Sequence, residues 1–163
     1  MMLTAALPAV SIVAAGGATR ARIAHPTGAD VVMFRTESSP NMWGGDYRDA
    51  TNLMVFGDGR VVYGDGSEVR VTERGLQRLL RDTRAAGLLN NTDFGQAGVT
   101  DQGTTSVVVN AGGAAHAADI YALELPEGER GLPQPQKAAR RHLRRFLHSV
   151  GDPSYWSGTL ITR

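Results

Sequence analysis

The chain has 163 residues, 42% of them hydrophobic, and balances 17 Lys plus Arg against 16 Asp plus Glu for a formal net charge of +1. That length suits one domain able to bury about two-thirds of the surface its unfolded form exposes, so stability requires no metal or cross-link. Near-neutral charge offers no global attraction for a polyanion, and the absence of Cys excludes disulfides, zinc–thiolate sites, iron–sulfur clusters and a cysteine nucleophile.

Residues 1–25 read as an apolar N-terminal segment. The stretch MMLTAALPAVSIVAAGGA, 1–18, has no charged side chain and ends in small residues, with Arg20 and Arg22 just beyond. It resembles the core of an export signal, yet no Lys or Arg precedes it. Pro8 and the pair Gly16-Gly17 make it too short and broken for a membrane-spanning helix. Two placements stay open, an exported or envelope-associated chain and a cytoplasmic one.

Residues 30–150 read as a single α+β domain, followed by a C-terminal tail over 151–163. VVMFRT (31–36) is β-branched and aromatic, the composition of a strand. ESSPNMWGGDYRDA (37–50) is long for a plain connection and carries Met42, Trp43 and Tyr47 among glycines and serines. Aromatics on such a loop compose a recognition surface, which makes these three the candidate partner-binding residues; the competing reading packs Trp43 over the end of the sheet.

Three short strands follow as a meander, TNLMVF (51–56), RVVY (60–63) and SEVRV (67–71), punctuated by Gly57-Asp58-Gly59 and Gly64-Asp65-Gly66. The two acidic glycine units invite a calcium reading. A calcium loop starting at Asp58 would need oxygen ligands at its third and fifth positions, where Arg60 and Val62 stand, and no third unit builds a β-roll. Turning the chain explains the composition: Gly accepts positive φ, and Asp bonds to nearby amides. No metal or cofactor is expected.

Thr72 can cap a helix whose Leu76, Leu79, Leu80 and Thr83 recur at helical spacing, with Arg74, Arg78, Arg81 and Arg84 toward water and Gly87 as the stop. NNTDFGQAGVTDQG (90–103) is a second loop. A hairpin comes next, TTSVVVN (104–110) and residues 114–123 around Gly112-Gly113, then a Pro- and Gly-rich linker. The final helix, 136–149, shows an apolar stripe of Ala139, Leu143, Phe146, Leu147 and Val150 opposite a basic face. This order favours a mainly antiparallel sheet of five to six short strands with two amphipathic helices packed on one face.

One resemblance is carried by Gly57-Asp58-Gly59 with Tyr63, by Ala86-Gly87-Leu88, and by Val99-Thr100-Asp101 with Thr104-Thr105. In that succession the chain, over about 30–123, resembles small bacterial domains of unknown function, many of them in exported or lipoprotein-like proteins. The resemblance implies a fold and no chemistry. Some such relatives carry cysteines after the first strand, where this chain has Pro40, Trp43 and Tyr47.

The motifs with chemical content are few. DQGTTS (101–106) resembles the phosphate-binding hairpin of glycerol-kinase-like enzymes, which need two large domains closing over a nucleotide; this chain is too short for that, and Asp101 with the threonines can organise a turn instead. Asp101, Thr104, Thr105 and His116 remain the weak catalytic candidates, for a hydrolase or phosphate-handling site, although no nucleophile elbow accompanies them. On the final helix Lys137, Arg141, Arg144 and His148 form one stripe that could grip phosphate groups of a nucleic acid or an anionic membrane; a solvated face is the plain alternative, and interleaved stacking aromatics are missing. With no convergent constellation, the leading expectation is a non-enzymatic domain binding a macromolecule, most simply a protein.

Overall fold

The computed structural model describes residues 21–39 and 52–161. Within them the apolar and alternating runs become six strands: β1 (Val32–Ser38), β2 (Leu53–Phe56), β3 (Arg60–Tyr63), β4 (Glu68–Arg70), β5 (Thr104–Ala111) and β6 (Ala114–Tyr121). They form one sheet in the order β4-β3-β2-β1-β5-β6. Every neighbouring pair is antiparallel, and β1 joins the meander to the hairpin. Helices α1 (Glu73–Ala85) and α2 (Gln134–Gly151) pack on one face, the α+β architecture expected from the order of elements.

Side-chain alternation selects that face. Phe34, Thr36, Leu53, Val55, Val61, Val107, Val109 and Ile120 share it and are at most 3% exposed. Leu76, Leu79 and Leu80 of α1 and Leu143, Phe146, Leu147 and Val150 of α2 close the core from the other side. Phe146 meets Phe34 edge to face, with ring centroids 5.9 Å apart. Burial of each such side chain contributes about 1.5–3 kcal/mol. One irregularity adds to the core: the β1–β2 register shifts between Val32 and Phe34, so that Met33 and Phe34 are both fully buried although adjacent in a strand.

Both Gly-Asp-Gly units are corners of the meander. Asp58 accepts the amide of Arg60 at 3.1 Å, and Asp65 that of Ser67 at 2.8 Å, so each carboxylate closes its own turn. Gly59 has φ +89, and a Cβ there would lie 2.3 Å from the carbonyl oxygen of Val71. Gly66 has φ +81 with open space around it. Gly66→Ala is therefore expected to cost about 1 kcal/mol from backbone conformation alone, and Gly59→Ala about 2 kcal/mol or more because backbone must also move. Urea titrations of the two variants check this; equal losses would mean that the Val71 contact relaxes freely.

Helix α1 ends as its sequence proposes. Gly87, at φ +91, donates to the Arg84 carbonyl at 3.0 Å while Leu88 donates to that of Thr83 at 3.2 Å, which is the Schellman pairing. The N-terminal side is plainer: Thr72 is the N-cap but its side chain makes no capping bond.

Two segments outside residues 30–150 belong to the fold. The chain over 22–26 lies along α1, where the buried Gln77 side chain accepts from the Ile23 amide at 2.9 Å and donates to the Ile23 carbonyl at 2.8 Å. Ala24 also accepts from the Gly112 amide at 2.7 Å. Beyond α2, a 3-10 helix over Pro153–Trp156 buries Tyr155 and Trp156, and Leu160 bridges Val71. Tyr155 and Trp156, in the tail read from the sequence, thus pack with the core.

Candidate functional site

Alternation that buries one face of the sheet leaves the other to be described. Paired across it run Glu68, Val62, Met54, Arg35, Val108 and Ala117, exposed or half-buried, and no helix of the described residues lies over them. Arg35 stands near the middle, between Met54 and Val108. Toward one corner the Arg60 guanidinium sits 3.8 Å over the Phe56 ring, and Arg70 pairs with Asp58 at 2.9 Å. Toward the other, Ser106 donates to Asp119 at 2.6 Å. The face therefore mixes cations, carboxylates, methyl groups and one large thioether.

The candidate catalytic residues do not come together. Thr104 and Thr105 are successive in β5 and point to opposite faces; Thr105 is buried toward the helices. His116 lies opposite Val109, four residues along the strand from Thr105, which is about 13 Å. Asp101 is exposed in the preceding turn with φ +60. Thr104 is instead engaged by Ser39, whose hydroxyl donates to the Thr104 carbonyl at 3.3 Å and accepts from its amide at 3.0 Å. Beside them Ser38, Gln102, Gly103 and Ala122–Leu125 enclose a cavity of about 30 Å³. That is room for about one water molecule, not for a substrate. Glu124 reaches this cavity; one of its carboxylate oxygens meets His148 at 2.9 Å, and the other is buried with no partner among the described residues.

The basic stripe is largely turned to internal use. Lys137 donates to the Arg130 carbonyl at 3.0 Å, His148 pairs with Glu124, and Arg144 donates to Glu129 and to the Leu123 carbonyl. Of the four stripe residues only Arg141 is left without a partner among the described residues, with Arg145 one turn on. Met42, Trp43 and Tyr47, the candidate partner-binding residues, lie outside the described residues.

A buried ion cluster went unread in the sequence. Arg140 is fully buried and donates through Nε to Glu129 at 3.0 Å and through Nη2 to the carbonyls of Tyr121 and Ala122, each at 2.8 Å. Burial pushes the Glu129 carboxyl up, but the hydrogen bonds and charges of Arg144 and Arg140 outweigh it and hold the group below its usual value of 4.5. The signal was present: Arg140 precedes Leu143 and Leu147 by three and seven residues, the spacing of the buried stripe.

A second cluster ties the N-terminal strap to α1. The His25 side chain is 4% exposed, with Nδ1 2.7 Å from the Pro26 carbonyl oxygen and Nε2 3.2 Å from Glu73, which also accepts from Arg22 at 2.5 Å. Burial raises the Glu73 carboxyl, and bonds from Arg22, His25 and Gln77 more than reverse that. Both clusters consume their charges in holding chain segments, and among the described residues no group of three His, Asp or Glu could hold a metal ion.

Fold and site together define an α+β protein with one antiparallel sheet, helices on one face and a second face over which no helix of the described residues lies. No family model matches the chain, and comparison with curated proteins and with solved structures gave no match. No helix of the described residues is long and apolar enough to cross a membrane.

Proposed function

We propose that this chain is a non-enzymatic binding module that takes a protein partner on the uncovered face of its sheet. The observation that carries the reading is the row Val62, Met54, Arg35 and Val108, presented on a six-stranded sheet with no helix of the described residues over it. Arginine and methionine are enriched where proteins meet proteins, and Arg35, between the apolar side chains of Met54 and Val108, stands where a central anchor would. The face runs to Ser38 and Asn52, between which the sequence places the aromatic loop of Met42, Trp43 and Tyr47. Against catalysis stand the divergence of Asp101, Thr105 and His116 and the one-water size of the cavity beside Thr104.

The test is a double substitution, Arg35→Glu with Met54→Asp, in the full chain. Both side chains are exposed, so the melting temperature should stay within a few degrees of wild type. Retention of partner protein on an immobilised module should fall at least about tenfold, the effect of losing one modest anchor. Undiminished retention by a normally folded variant would sink this reading.

A further inference from the structure

The two edges of the sheet are treated differently. At one side β4 is three residues long, and just past it Leu160 bridges Val71 while the Ile161 amide donates to the Arg70 carbonyl at 2.8 Å. That edge is short and partly covered, as edges of soluble proteins usually are. At the other side β6 is eight residues long, AAHAADIY, and no strand of the described residues pairs with its outer edge. It contains no Lys, no Pro and no bulge, the usual devices that keep an edge from pairing.

Which backbone groups face outward follows from the hairpin. Gly112 and Gly113 both have positive φ, at +61 and +79, in a two-residue turn between Ala111 and Ala114. Such a turn makes the flanking pair the first hydrogen-bonded one, after which bonded and non-bonded pairs alternate. Residues 114, 116, 118 and 120 therefore bond to β5, and the bond from the Ala122 amide to the Gly103 carbonyl at 2.8 Å continues that parity. Ala115, Ala117, Asp119 and Tyr121 direct their amides and carbonyls away from the sheet. At Tyr121 the carbonyl is already taken by Arg140. Among the described residues, Ala115, Ala117 and Asp119 are those whose outward amide and carbonyl have no partner, and they are exposed.

That free stretch is symmetric about Ala117. We infer that β6 pairs antiparallel with β6 of a second copy of this chain, about a two-fold axis normal to the sheet at Ala117. In this register Ala117 faces its own counterpart and Ala115 faces Asp119 of the other copy, so six outward groups on each strand are satisfied mutually. At the axis two Ala117 methyl groups meet, and on either side the methyl groups of Ala115 and Ala118 face Asp119 and His116 of the other copy, so no two large side chains oppose one another. The two Asp119 carboxylates stand four residues apart along the pair, about 13 Å, so they do not oppose one another. Centring the pairing on Asp119 would set like charges face to face, and centring it on Ala118 would call on the Tyr121 carbonyl that Arg140 holds. A two-fold normal to the sheet keeps the uncovered face of both copies on the same side, giving one continuous twelve-stranded surface. This inference stands independently of what that face binds.

Sedimentation of the full chain from about 5 μM to 1 mM tests it, a range suited to a small interface. The weight-average mass should climb toward twice the monomer value. Amide exchange at Ala115, Ala117 and Asp119 should slow as concentration rises, while His116 and Ala118, bonded to β5, are slow throughout. Ala117→Lys, which brings two ammonium groups together at the axis, and Ala117→Pro, which removes the central donor without touching the β5 ladder, should both leave a monomer with wild-type far-ultraviolet dichroism. A wild type that stays monomeric at the highest concentration overturns the proposal, as does a dimer that persists in Ala117→Lys. A monomer in which an extended alanine-rich peptide slows the same three amides overturns it in favour of strand capture from another protein.

Discussion

Replacing Arg140 with methionine is expected to destabilise the fold by about 3–5 kcal/mol, the loss typical of breaking one side of a buried ion pair. Methionine approximates the volume of the arginine stem and returns none of its donors. Glu129 would keep only Arg144, at 2.5 Å, and the carbonyls of Tyr121 and Ala122 would lose the donor that Arg140 supplies. Those carbonyls end β6 and open the linker to α2, so the damage should spread to that junction. Adding Glu129→Gln to the methionine variant should recover about 1–2 kcal/mol, because a neutral amide is cheaper to leave buried than a carboxylate. Urea unfolding of the wild type, both single variants and the double variant reads this out; no recovery would assign the loss to the carbonyls and not to the under-compensated Glu129 charge.

The same pair sets a pH dependence whose sign follows from the direction of the shift. The folded-state pKa of Glu129 lies below its usual 4.5, so the folded chain holds fewer protons on this group than the unfolded chain. Its contribution is fully present above about pH 5 and is lost as pH falls through the folded value. Glu73, Asp65 and Asp152 are lowered as well, so the wild-type acid slope is a sum. The difference between wild type and Glu129→Gln isolates the buried pair, and that difference should shrink steadily below pH 4.5.

Much of the fold was legible because its signals are local. RVVY between two Gly-Asp-Gly units could be little else than a short strand, and Gly87 with Leu88 marked a helix end that the Schellman bonds then show. Non-local facts were not legible. Nothing in VVMFRT says that β1 lies between β2 and β5, since strand order depends on which edges meet after collapse. The bulge that buries both Met33 and Phe34 breaks the very alternation a reader would count. The basic helix face misled in another way: charge periodicity records which residues share a stripe, whereas Arg144 and His148 reach round to Glu129 and Glu124 in the linker that leads into α2. DQGTTS resembles a phosphate-binding hairpin in its letters alone, while the pleat sends Thr104 and Thr105 to opposite faces.

Trp156→Ala is expected to cost about 3–5 kcal/mol, as removal of a buried large aromatic does. The stretch DPSYWSGTLI (152–161) shows no periodicity because its order comes from a single 3-10 turn followed by one bridge, too little for a repeating pattern. Asp152 accepts from the Ser154 amide at 2.8 Å to start the turn, and the Thr159 hydroxyl donates to the Trp156 carbonyl at 2.7 Å to close it. Held this way, Trp156 is 1% exposed and meets Tyr155 edge to face at 4.8 Å. Tyr155 in turn docks on α1: its hydroxyl donates to Asp82 at 2.6 Å, and the Arg78 guanidinium lies 4.1 Å over its ring. Burial pushes the Tyr155 phenol up, and the bond to Asp82 acts in the same direction, so it stays a donor throughout the range in which the protein is folded. Tyr155→Phe should accordingly cost about 1 kcal/mol, the worth of one hydrogen bond, and Trp156→Ala several times more. Thermal and urea unfolding of the two variants decides between two roles for the segment. A loss at Trp156 far above that at Tyr155 makes residues 152–161 part of the core on which the helices close; comparable small losses would mean that they dock on a domain already complete without them.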